Sequence, residues 1–97
     1  MTVQPDVSVV VAAWKAAAFV ERAVRSALTS TGVAVEVVVV DDASPDDTWN
    51  VLQRLAAADS RILIDRLTTN GGPSAARNRA ITLATGRYVS VLDADDT

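Results

Sequence analysis

Cysteine and histidine are both absent from the 97 residues. Without cysteine there is no disulfide, no thiolate nucleophile and no soft metal ligand. Without histidine the chain lacks the commonest general base at neutral pH and the commonest zinc ligand. Chemistry then falls to carboxylates, arginine, hydroxyls, the single lysine Lys15 and backbone amides, and any metal must be held by oxygen. An excess of positive charge is missing too. The 9 basic and 12 acidic side chains leave a formal charge of -3, which offers no field for a phosphate backbone, so no nucleic-acid partner is expected. Apolar runs such as Val37 to Val40 fall far short of the roughly 20 residues that cross a bilayer, so no transmembrane segment is expected. Met1 to Asp6 carry neither the basic nor the apolar stretch of a signal peptide. A cytoplasmic chain is therefore expected, with association at the cytoplasmic membrane face left open.

What is present is apolar and patterned. Apolar residues make up 49% of a length that suits one domain or less. The 17 alanines, and eight arginines against one lysine, fit GC-rich coding and hence a bacterial source. Val7 to Ala13 and Val35 to Asp41 are β-branched runs without clean alternation, as in strands buried on both faces of a parallel sheet. From Ala16 to about Ser30, Phe19, Val20, Ala23, Val24, Ala27 and Leu28 recur at helical spacing, with a stop near Gly32. Ser44-Pro45-Asp46-Asp47 reads as N-cap, first-turn proline and capping-box acid of a second helix reaching Ala58. Arg61 to Arg66 is a less apolar strand, expected near an edge. Pro73 opens a third helix with Ala76, Ala80, Leu83 and Ala84 on one face and Gly86 as its left-handed C-terminal residue. Arg87 to Leu92 is the last strand. The alternation predicts an α/β fold: an open, mostly parallel sheet of about four strands with three helices on both faces.

Ligands of such sheets bind beyond the carboxyl ends of the strands. There the sequence places Ala12-Ala13-Trp14, Asp41-Asp42-Ala43-Ser44, Thr69-Asn70-Gly71-Gly72 and Asp93-Ala94-Asp95-Asp96. Three carboxylates within four residues repel one another, a cost that an oxygen-preferring divalent cation with a diphosphate offsets. A solvated acidic turn is the plain alternative. Asp41 and Asp42 are surplus to helix capping, so one of them can accept hydrogen bonds from a base or ribose. Asp46 and Asp47 read as helix-dipole acids. Backbone N–H groups at Gly71 and Gly72 precede a helix and can meet an anion, and Arg77 is a better candidate than Arg79 for pairing with a diphosphate. Trp14 can stack on a base, although packing is the commoner role of such a residue, and Trp49 reads as helix packing.

The segments VSVVVAAW, EVVVVDDASPDDT, NGGPSAARNRAI and GRYVSVLDADD together resemble the nucleotide-sugar-dependent, inverting glycosyltransferases of family 2, with the GT-A fold. The resemblance runs from Val7 to Asp96, with four motifs in order. It implies that Asp42 contacts the nucleotide base, commonly uracil, with Asp41 beside it. It also implies that Ala12 lies under the base and that Gly71, Arg77 and Asn78 line the nucleotide pocket. By the same resemblance Asp93 is expected on the ribose side, and Asp95 and Asp96 are expected to hold Mn²⁺ or Mg²⁺. Ala12, Trp14 and Lys15 depart from the proline, tyrosine or phenylalanine, and asparagine usual in the family, which bears on base recognition and leaves the acidic sites intact. The implied reaction is a single displacement on a nucleotide-diphosphate sugar by an acceptor hydroxyl. Its catalytic base is expected beyond Thr97. Residues 1–97 then form a truncated N-terminal donor-binding portion, inactive alone and self-associating through an open last strand.

Three other readings compete. A receiver-like Mg²⁺-binding signalling module would carry its acidic pair after the first strand and a later lysine, whereas Asp41 follows the second strand and the only lysine is Lys15. A nucleotidyltransferase would have a glycine-rich loop where Ala12-Ala13-Trp14 stands. A nucleotide-binding fragment without activity is the third.

Overall fold

The computed structural model describes residues 4–29 and 33–93, with Asp93 described by its backbone alone. Strands and helices alternate: β1 (Val7–Ala13), α1 (Val20–Leu28), β2 (Val35–Asp41), α2 (Thr48–Ala58), β3 (Ile62–Arg66), α3 (Pro73–Leu83) and β4 (Tyr88–Asp93). All strand pairs are parallel, in the order β3-β2-β1-β4. The expected open α/β sheet is thus observed, with β3 at one edge as its weaker apolar pattern predicts.

Every residue of β2 is buried, because helices cover both of its faces. Successive side chains of a strand point to opposite faces. Val35, Val37 and Val39 accordingly join Val11, Val20, Val24, Leu52 and Leu55 on the face covered by α1 and α2. Val38 and Val40 join Val10, Ala76 and Ala80 beneath α3. On that second face α3 presents alanines, which let the helix backbone approach the sheet closely.

Three boundaries differ from the sequence pattern, each for a local reason. Helix α1 begins at Val20, after a turn in which the N–H groups of Phe19 and Val20 both donate to Ala16 O, and Phe19 is exposed instead of facing the core. Helix α2 begins at Thr48, so Ser44 and Pro45 are neither its cap nor its first residue. Ser44 Oγ instead accepts from Lys15 N at 3.0 Å, and Asp46 accepts from Thr48 N at 3.1 Å. The capping signature is diverted into tying two loops together. Helix α3 ends at Leu83 with Ala84 in an extended conformation, so Gly86 is not a left-handed cap.

Gly86 is required for a close approach. A Cβ there would stand 2.6 Å from Ser8 Oγ, 2.7 Å from Ser8 N and 2.9 Å from Val7 C. Two of these atoms are backbone of β1 and cannot yield without moving the strand. Gly86→Ala is expected to cost about 2 kcal/mol, read in calorimetry as a fall in Tm of about 10 °C.

Glu36 is the organising residue of this same end of the sheet. It is buried, accepts from the Ser8 hydroxyl, and accepts from Thr85 N at 2.8 Å and Thr85 Oγ1 at 2.9 Å. Burial pushes its pKa up, but the hydrogen bonds from Ser8 and Thr85 outweigh burial and hold it below the usual carboxylate value. A depressed folded pKa means stability that is fully present above the unfolded value of 4.5 and lost as pH falls from there through the folded value. The wild-type chain is expected to lose stability in that window by denaturant titration. Glu36→Gln should be less stable at pH 7 by about 1–3 kcal/mol, since an amide cannot accept at every position the carboxylate fills. Its acid-dependent loss should be smaller than that of wild type.

Candidate functional site

The strand registers bring the expected residues to one edge. Ala13, Asp41 and Arg66 are aligned across β1, β2 and β3, and Ala12 pairs with Asp93 of β4. The chain therefore delivers Ala12, Asp41 and the Asp93 backbone together at the carboxyl ends of the strands. Asp95 and Asp96 lie outside the described residues, as does the Asp93 side chain. Among the described residues there is no group of three metal-ligating side chains.

Asp42 is only 2% exposed, and its N–H donates to Ala13 O at 2.9 Å, which fixes it directly beyond β2. Its carboxylate spans the next loop: Gly71 N donates to Oδ1 at 2.8 Å and Gly72 N to Oδ2 at 3.0 Å. Asn70 Nδ2 approaches Asp42 O at 3.4 Å. The two glycine N–H groups, open to an anion in the sequence reading, are thus already turned toward Asp42. Gly72 adopts φ +89°, a value that side-chain-bearing residues rarely take, and this lets the loop fold back before α3 starts at Pro73. Two such N–H donors do not exhaust an ionised carboxylate, which has about four lone-pair positions. One carboxylate can therefore hold the loop and still accept from a ligand.

Asp41 faces the other side of the sheet and is fully buried. Its Oδ1 accepts from Ser44 N at 3.1 Å, closing the turn that presents Asp42. Its Oδ2 is buried without a hydrogen bond, with Arg66 Nε at 3.5 Å as a charge partner. Strain accompanies this geometry. Lys15 (φ 50°) and Ala43 (φ 58°) are the non-glycine residues with positive φ among those described, and they lie on the loops after β1 and β2. Such residues cost of order 1 kcal/mol each and gather at functional sites.

On α3, Arg77 is half-buried beside the buried Ala76, with its Nε in the interior, whereas Asn78 is exposed. Arg79 is committed elsewhere: its Nε lies 2.6 Å from Asp65 Oδ2, which holds Asp65 below its ordinary pKa. Trp14 is 44% exposed just past β1, with Lys15 Nζ over its ring at 5.4 Å from the centroid. Arg66 is a residue that sequence reasoning missed, although its place as the last residue of the third strand marks it as a cleft residue.

The sequence pattern described as "Glycosyl transferase family 2" matches residues 8–97. The succinoglycan biosynthesis protein ExoO of Rhizobium meliloti is 50% identical over 93 residues, which is 96% of this chain and 26% of ExoO. Among solved structures, the mannosyltransferase PcManGT of Pyrobaculum calidifontis, in complex with GDP-Man and Mn²⁺, superimposes with TM-score 0.81 at 31% identity, over 97% of this chain and 28% of that one. S. aureus TarS 1–349 in complex with UDP gives 0.80 at 31% identity, over 93% of this chain and 27% of that one. The chain spans about a quarter of the length of each. Among the described residues no helix is long and apolar enough to cross a membrane.

Proposed function

Because the chain belongs to glycosyltransferase family 2, we propose that its strand-end cleft binds the nucleoside diphosphate of a sugar donor, a UDP-sugar, for transfer with inversion to an acceptor hydroxyl. The observation that carries this reading is Asp42, a buried carboxylate just beyond the carboxyl end of β2 that gathers the Gly71 and Gly72 N–H groups. In this reading it accepts a base N–H while it holds the loop that leads into α3. Support for the nucleotide comes from relatives solved with UDP and with GDP-Man and Mn²⁺.

In this reading Ala12 and Ala13 form the floor under the base and Trp14 stacks against it. Asp42, with Asp41 beside it, orients the base edge. Asp93 meets the ribose, Gly71 and Asn78 border the pocket, and Arg77 faces the diphosphate from α3. Asp95 and Asp96 would hold Mn²⁺ or Mg²⁺, since oxygen ligands following a strand end match the preference of these ions. The bound ion supplies charge stabilisation to the departing diphosphate. The chain's own contribution is to fix the donor by its nucleotide, so that the anomeric carbon is held in line for attack from the open side. None of the residues named here is given the role of activating the acceptor hydroxyl; their part is to bind and orient the donor.

Thermal shift tests the reading. Mn²⁺ with UDP is expected to raise Tm by several degrees, by mass action on the folded state, while either alone does little. GDP and ADP in place of UDP rank base preference. Equal, negligible shifts with all three would reject a donor site.

The reading includes self-association of the 97-residue chain. Strand β4 forms a sheet edge, and Tyr88, Val89 and Val91 on it are exposed. Edges of this kind pair readily with another chain. Sedimentation velocity should show a weight-average mass that rises with concentration, and a monomer at high concentration would contradict it.

A further inference from the structure

The geometry points to Arg66 as a positioning residue for base recognition: stacked on Trp49 and bound to both ends of the 41–44 turn, it sets the direction in which Asp42 is presented. The inference rests on the donor-site reading above and concerns a residue that the reading does not use. Arg66 Nη2 donates to Ser44 O at 3.3 Å, and its Nε stands 3.5 Å from the buried Oδ2 of Asp41. Its guanidinium carbon lies 5.8 Å from the Trp49 ring centroid. Trp49 itself packs against the core through α2, so the guanidinium rests on a fixed shelf.

Two physical facts give this arrangement its effect. A fully buried carboxylate needs a compensating charge, and Arg66 is the charge beside Asp41. The planar guanidinium donates to the Ser44 carbonyl along a fixed direction while its charge faces Asp41 Oδ2, so one rigid group ties the two ends of the turn. Asp42 and Ala43 are the two residues between those anchors, and Ala43 carries a positive φ that the surroundings must enforce. Lys15 N, donating to Ser44 Oγ, completes the tie to the loop after β1. Arg66 thus acts on the base through Asp41, Ser44 and the turn they close, without touching the nucleotide.

The test compares Arg66→Met and Arg66→Lys with the wild-type chain. Affinity is measured by NMR titration for whichever diphosphate the wild type binds, UDP or GDP with Mn²⁺, and for its nucleoside, uridine or guanosine. Thermal stability is recorded alongside. Arg66→Met should weaken diphosphate and nucleoside by the same factor, about 10-fold, the worth of one charged hydrogen bond. Arg66→Lys should regain Tm, because it keeps the charge beside Asp41, but not nucleoside affinity, because it lacks the fork. Unchanged affinities in both variants would overturn the inference alone. So would loss of the diphosphate with the nucleoside retained, which marks a direct phosphate contact, and so would full rescue of nucleoside binding by lysine. A wild-type chain that binds neither diphosphate would overturn the donor-site reading and this inference with it.

Discussion

Asp42→Ala is expected to reduce nucleoside diphosphate affinity by about 100-fold or more and to lower stability at the same time. Hydrogen bonds to a charged group contribute about 1.5–3 kcal/mol each, and about 2.7 kcal/mol corresponds to 100-fold in affinity. Two losses combine here. In the proposed site the base loses its acceptor, and Gly71 and Gly72 lose the carboxylate that sets the loop ahead of α3. Asp42→Asn should be nearly as harmful, because its NH₂ group would oppose one of the glycine N–H donors that the second carboxylate oxygen now accepts. Calorimetric titration with UDP and Mn²⁺ gives the affinity and a denaturant midpoint gives the stability. Asp42 variants that bind as wild type would remove this carboxylate from the site.

Asp96→Ala is expected to produce the second large effect, of a different kind. Removal of a metal ligand should cost at least the 10–100-fold in metal affinity that loss of an outer partner typically costs, about the size of the Asp42 effect. It should fall on the metal-dependent part of nucleotide binding only. Uridine, which has no diphosphate, should bind Asp96→Ala and wild type alike, whereas UDP should lose its response to Mn²⁺. Stability should be unchanged without ligand. The pair of variants therefore separates the base end of the cleft from the diphosphate end, and equal loss of uridine in Asp96→Ala would contradict the division.

Much of this was legible in the chain. The β-branched runs at Val7 to Ala13 and Val35 to Asp41 coincide with β1 and β2 because strands covered on both faces have no polar side to alternate with. The strand ends then bring Ala12, Asp41 and Asp93 together by register alone, which is a property of parallel sheets and not of any one residue. Membership of family 2 also sets aside the receiver and nucleotidyltransferase alternatives. What stayed hidden depends on contacts distant in sequence. Ser44 and Pro45 look like a helix start, yet Ser44 serves Lys15, 29 residues away. Gly86 looks like a helix stop, yet it exists for Ser8, 78 residues away. Glu36 sits inside a valine run with no local sign that Thr85 will satisfy it. Arg66 reads as an ordinary strand-end cation until Asp41, Ser44 and Trp49 are seen around it. Local pattern carried the architecture and the edge proposed for the site, while the partners of individual polar groups came only with the tertiary fold.

The most direct measurement is paramagnetic broadening of the amide NMR spectrum by substoichiometric Mn²⁺ in the presence of UDP. The seven residues of β1 separate the two ends of the sheet by about 20 Å, enough for the effect to distinguish them. Broadening should be strongest at Ala12, Ala13, Asp42, Asp93 and the residues that follow, and should leave Ser8, Glu36 and Gly86 sharp. Broadening centred on Glu36 and Gly86, or none that depends on UDP, would contradict a donor and metal site at the carboxyl ends of the strands.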